Sequence, residues 1–171
     1  WKLEKEVILI INFSSKDAIL EALVERNYEA PITTARHLAE QREISPFTRM
    51  ALIFQACRNS SAAFLKTQPS TTKAAPERAF LHQKYMNHLI VSLKPVLASI
   101  IEQGIAQDLI RCADPVSLAE IVLIVLTVKM DNTLVPSTTD EIERTISALV
   151  SLLEKGTENP VGSLNFLMAQ L

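Results

Sequence analysis

The stretch "DPVSLAEIVLIVLTVKMD", residues 114–131, decides how the chain must fold. Asp114 is a capping residue, and Pro115 sits at a first helical position where its missing N–H does no harm, so the pair opens a helix to about 133. Within it Val116, Leu118, Ile121, Val122, Leu123, Ile124, Val125, Leu126 and Val128 surround the axis. No face of such a helix is suited to water, so it must be covered on both sides. Thr138 and Glu141 form a capping box for the next helix, which ends near Lys155 with Gly156 just past it. Its Ile142, Ile146, Leu149, Val150 and Leu153 make a seam of alternating four- and three-residue steps, with Leu152 on a second face. Two readings of the pair stay open. The first is a core helix sheltered by its neighbours in a monomer; the second is a helix pair that meets its own copy in a four-helix bundle.

Working outward, the punctuation is almost all helical. Ser14 and Asp17 start a helix over about 15–29 that carries Ile19, Leu20, Leu23 and Val24, and Pro31 is expected to stop it. A weaker helical stretch covers 32–42. Ser45-Pro46 opens another over about 46–60, and "KTQPSTTKAAP" at 66–76 has turn formers without a period, as a loop does. A long helix over 76–107 follows with Pro95 inside it, where a kink is expected. The run "VILII" at 7–11 suits either an isolated strand or a helix face. The fold class is therefore all-α.

Composition narrows the function classes. The chain has 171 residues, 48% of them hydrophobic and 21% charged, enough to bury roughly 70% of its unfolded surface around an aliphatic core. The net charge is −2 and basic residues are dispersed, so this chain alone is a poor DNA binder. Cys57 and Cys112 have neither the number nor the spacing of a disulfide framework or zinc site, and a reducing cytoplasm is the default. The most apolar run, "IVLIVLTV" at 121–128, falls well short of the roughly 20 residues of a membrane span, and no signal peptide is visible.

Catalytic signals are weak. His82 and His88 are six apart, on different faces of a helix, where a metal pair wants i and i+4. His82 reads as a residue at the margin of the buried stripe and His88 as one near it. Cys57 reads as a small core residue, since no base is identifiable nearby, and Cys112 sits in a turn. No G-x-S-x-G, phosphate-cradling loop or paired carboxylates occur, and three glycines could scarcely build such loops. No metal, cofactor or enzymatic activity is expected. Asp140 and Arg144 read as a solvated surface pair.

Two segments carry a resemblance. "FSSKDAILEAL", through Phe13, Ser15, Lys16, Ile19 and Leu20, is similar to the step in TetR-type transcriptional regulators where the helix-turn-helix domain ends and the ligand-binding domain begins. "LKPVLASIIEQGIAQDLIRCADPVSLAEIVL", 93–123, resembles that family's passage from a glycine-terminated helix into the first dimerisation helix, carried by Ile100, Ile101, Gly104, Ile105, Asp114, Pro115 and Ala119. It departs where the usual second glycine is Asp108 and the aromatic two residues later is Ile110.

The resemblance implies a C-terminal helical bundle of about five to seven helices in 14–171, with residues 1–13 a remnant or divergent segment. It implies the effector-sensing and dimerisation domain of a repressor, a homodimer in which a small apolar or amphipathic effector changes the spacing of DNA-reading heads. Operator DNA would be met only through a helix-turn-helix not evident here. Dimerisation through 115–133 and 139–155 would engage Leu118, Val122, Val125, Ile146, Leu149, Val150 and Leu153. The effector would lie among 15–42, 46–60 and 76–107, and the helix map turns Met50, Phe54, Cys57, Tyr85, His88, Leu89 and Ser92 toward that space. A structural or protein-interaction bundle without a pocket is the alternative.

Overall fold

The computed structural model describes residues 16–67, 75–132 and 135–170. The segment 7–11 and most of the "FSSK" step lie outside them. Five helices follow in order: α1 (Lys16–Glu40), α2 (Pro46–Thr67), α3 (Ala75–Ala106), α4 (Pro115–Asp131) and α5 (Thr139–Gly156). A 3₁₀ turn, Asn165–Gln170, closes the described chain, which is all-α.

Side-chain pairings fix the directions. Lys94 and Glu120 meet at 3.1 Å while His82 reaches Asp131, twelve residues back on α3 against eleven forward on α4, so these helices run antiparallel with matched rise. Tyr85 meets Ser60 and Ser61 on α2, and Gln103 meets Arg49, which makes α2 antiparallel to α3 as well. Tyr28 stacks near Tyr85 and His88, and the Ala39 carbonyl lies by Gln103, so α1 runs along α3 in the same direction. The long α3 is thus the central element, with Tyr85, Leu89, Leu93, Leu97, Ile100 and Ile101 all buried. By length and composition His82–Ala106 is apolar enough to cross a membrane, but those six residues face α1, α2 and α4.

The first helix does not stop before Pro31 as the sequence suggested; it runs through that residue to Glu40. Pro31 is fully buried between Tyr28, Ile32 and Ala35, which form the core face of α1. A mid-helix proline costs about 3 kcal/mol, and burying side chains at about 1.5–3 kcal/mol each outweighs it. Likewise α2 extends beyond residue 60 to Thr67, into the expected loop, of which 68–74 lie outside the described residues. The helix α3 is continuous through Pro95, whose ring is exposed.

The turn after α3 explains how the chain manages without the family's second glycine. Asp108 takes a left-handed conformation, φ 58°, as a glycine would. The Leu109 N–H donates to the Gly104 carbonyl at 2.9 Å and the Asp108 N–H to the Ile105 carbonyl at 3.0 Å, the paired bonds of a Schellman motif. Gly104 itself is needed for closeness, since a Cβ there would stand 2.6 Å from Cδ1 of Ile110. The helix α4 then starts on Asp114, which accepts from the N–H of Ser117 at 3.0 Å. The helix α5 starts on the reciprocal capping box of Thr138 and Glu141. Between them Asn132, also left-handed, donates to the Ser137 carbonyl and accepts from the Ser137 N–H.

Residues after α5 return to the core. The buried Glu154 carboxylate accepts from the N–H groups of Gly162 at 2.8 Å and Leu164 at 3.0 Å, turning the chain so that Leu164 and Leu167 become buried. One buried cation is less well served. Arg49 donates through Nη1 to the Ala39 carbonyl and to Gln103, while its Nε and Nη2 have no partner among the described residues. Burial lowers its pKa from the ordinary value.

Candidate ligand-binding site

A cavity of about 390 Å³ lies between α2, α3 and α4, with the start of α5 at its edge. Its walls follow helical spacing. Phe54, Cys57, Arg58 and Ser61 line it from α2, at i, i+3, i+4 and i+7, and His82, Met86, Leu89 and Leu93 from α3, at i, i+4, i+7 and i+11. Leu123, Leu126, Thr127, Met130 and Asp131 come from α4, and Thr139 and Ile142 from α5.

The chamber is polarised along the helices. Because Ser61 meets Tyr85 and His82 meets Asp131, the residues Arg58, Ser61, His82, Asp131 and Thr139 gather at one end. Arg58 and Thr139 are exposed, so this end is the mouth. Toward the Lys94–Glu120 end the lining becomes Phe54, Leu89, Leu93, Leu123 and Leu126, all buried. The carboxylate of Asp131 is almost fully buried and engaged by Nε2 of His82. The Cys57 thiol is pushed up to about 12 by burial, so it is protonated and unreactive at neutral pH.

Of the seven residues singled out from sequence, Phe54, Cys57 and Leu89 line this cavity. Met50 faces a second, smaller one of about 50 Å³, with Phe54 as the partition between the two. Tyr85 is fully buried beside the chamber, its hydroxyl donating to Ser60 at 3.3 Å, and burial raises its pKa. His88 and Ser92 lie on another side of α3, where the His88 ring stacks on Tyr28 at 4.2 Å and Ser92 lies 3.4 Å from Nε2 of His88. The polar lining residues that sequence reasoning passed over are Arg58, Ser61, Thr127, Asp131 and Thr139, and His82 was read only as a residue at the margin of the buried stripe. The available signal was the His82–Met86–Leu89–Leu93 spacing. Among the described residues α4 and α5 line the chamber and α1 supplies none.

The residues named for dimerisation divide in three. Ile146, Leu149 and Val150 are buried within the single chain, and Leu118, Val122 and Leu153 line the small second cavity. Val125 is half-buried. Instead Ile121 and Ile124 on α4 are 53% and 45% exposed, and Leu152 on α5 is 69% exposed. With half-buried Val128 the first two form an outward apolar stripe at i, i+3 and i+7.

Among the described residues no group of three His, Cys, Asp or Glu could hold a metal ion. The described residues thus form an all-helical domain with a cavity between α2, α3 and α4 and a capped pair of late helices. The family model described as tetracyclin repressor-like, C-terminal domain, matches residues 65–152, just over half of the chain, and the chain belongs to that family. No curated protein and no solved structure matches it.

Proposed function

We propose that this is the effector-sensing and dimerisation domain of a cytoplasmic TetR-like repressor, which binds a small, mostly apolar molecule in the chamber between α2, α3, α4 and α5. The observation that carries the reading is the chamber itself. Its volume of about 390 Å³ lies in the range of small-molecule sites, and an apolar wall with a few polar groups at one end is the usual composition of such sites. The chamber also touches α4 and the first turn of α5, so filling it bears on the helices that would join two copies. The outward stripe of Ile121, Ile124 and Val128 on α4 supports that pairing, as does the exposed Leu152 on α5. A change in pairing angle would alter the spacing of DNA-binding heads attached to the N-terminal side.

The test is a thermal-shift screen with amphipathic and aromatic compounds. A ligand of the folded state should stabilise in proportion to the logarithm of its concentration, by about 2.7 kcal/mol at a hundred times Kd. A screen in which no compound stabilises the protein would leave the bundle with a structural or protein-interaction role.

A further inference from the structure

We infer that Phe54 sets the length of the ligand: the two cavities are successive stretches of one channel along α3, and the ligand is a linear apolar chain whose tip stops at the Phe54 side chain. The inference rests on the effector-site reading and adds the ligand's class and the residue that limits it.

Three observations carry it. First, the cavities succeed one another along every helix that lines both. On α2 the small one is met by Phe47 and Met50 and the large one from Cys57 onward; on α4 the small one is met by Leu118 and Val122 and the large one from Leu123 onward. The order reverses on α3, which is antiparallel to both: the large cavity ends at Leu93 and the small one is met by Ile101. It reverses likewise on α5, from Ile142 to Leu153. All four helices thus place the two spaces in line, and among the described residues Phe54 alone belongs to both linings. Second, the chamber is long. Its α3 wall climbs from His82 to Leu93, a rise of about 16 Å, and a volume of about 390 Å³ spread over that length suits an extended chain lying parallel to the helix rather than a compact ring system. Third, the space beyond Phe54 takes only apolar matter. Its polar side chains, Thr157 and Asn159, bond to each other at 3.0 Å, and Thr157 also donates to the Leu153 carbonyl at 2.6 Å. A polar head would lose its hydration there without replacement, so the end of the ligand that faces Phe54 is hydrocarbon. A chain that reaches Phe54 is stopped by it, and about 50 Å³ lies on the far side.

The probes are the straight-chain alcohols from hexanol to dodecanol, with 2-propylheptanol as the branched isomer of decanol. Each is titrated into the intact protein below its solubility limit, with calorimetry as the readout. In the wild type, affinity is expected to rise about fourfold with each methylene buried and to level off by decanol. Decanol is expected to bind about tenfold more tightly than its branched isomer, the loss of roughly two buried methylenes. Phe54→Leu and Phe54→Ala, which shorten the partition, should carry the rise on to dodecanol. A wild-type rise unbroken to dodecanol overturns the inference, and so does a branched isomer that binds as tightly as decanol; both are read without any variant. Levelling-off at the same carbon in folded Phe54→Leu and Phe54→Ala proteins overturns it too. If in that case Leu89→Trp, in the chamber wall, weakens every alcohol, the chamber stands as the effector site and only the length limit falls. If no alcohol binds, the inference falls, and other hits in the thermal-shift screen decide whether the effector-site reading falls with it.

Discussion

Replacing Gly104 by alanine sets two opposed effects against each other at the turn that aims α4. An alanine in a helix interior is favoured over glycine by about 1 kcal/mol. Here the new Cβ would lie 2.6 Å from Cδ1 and 3.1 Å from Cγ1 of the buried Ile110. Overpacking of a filled core costs about 1–3 kcal/mol, so Gly104→Ala should destabilise by up to about 2 kcal/mol. Ile110→Val removes the atom in closest conflict and by itself costs about 0.5–1.5 kcal/mol. In that background Gly104→Ala should change sign and stabilise by about 1 kcal/mol, because the remaining 3.1 Å contact needs a shift of only a few tenths of an ångström. Urea unfolding of the four proteins at one fixed protein concentration gives the coupling, expected at about 1–3 kcal/mol. Effects that add within about 0.5 kcal/mol would refute the close approach of Gly104 to Ile110.

Ile124→Glu alters a side chain that the single chain leaves exposed, so it should abolish dimers in light scattering with helical circular dichroism unchanged, whereas Leu149→Glu should unfold the chain because Leu149 is already internal. Asp114 and Glu141 are held below their ordinary pKa values, chiefly by the Ser117 hydroxyl and N–H and by the Thr138 N–H and hydroxyl respectively. Depressed carboxylates contribute stability above their unfolded pKa and lose it as pH falls through the folded one, so the melting temperature should drop below about pH 4.5, and less steeply in Glu141→Gln. Gln103→Leu strips the buried Arg49 of its side-chain acceptor and should cost about 1.5–3 kcal/mol by chemical denaturation. Arg49→Met should cost less, because Gln103 continues to donate to the Ala39 carbonyl.

What the sequence makes legible here is local chemistry. Asp114-Pro115 and the Thr138–Glu141 box are complete within four residues, and the structure starts α4 and α5 on them. Pro31 was misread because its tolerance depends on a core face that only tertiary packing supplies. The long α3 is apolar around much of its circumference, so periodicity does not say which stripe meets the chamber. The reading through Tyr85, Leu89 and Ser92 and the observed face through His82, Met86, Leu89 and Leu93 differ by about one residue's rotation. His82 looked bland at the edge of that stripe because its partner, Asp131, lies 49 residues away. The seam of α5 shows a comparable ambiguity, since an apolar stripe reveals that a face is covered without revealing whether the cover is the same chain or a second copy.

The most direct test of the account is the unfolding midpoint of Phe54→Trp with and without a saturating ligand from the screen. Phe54 stands between the two cavities, with the large one on one side. The account predicts that the larger ring enters the chamber, that the variant stays within about 1 kcal/mol of the wild type, and that the ligand no longer stabilises it. A variant destabilised by about 1–3 kcal/mol, as in a close-packed core, that still gains the full wild-type stabilisation from the ligand would contradict it.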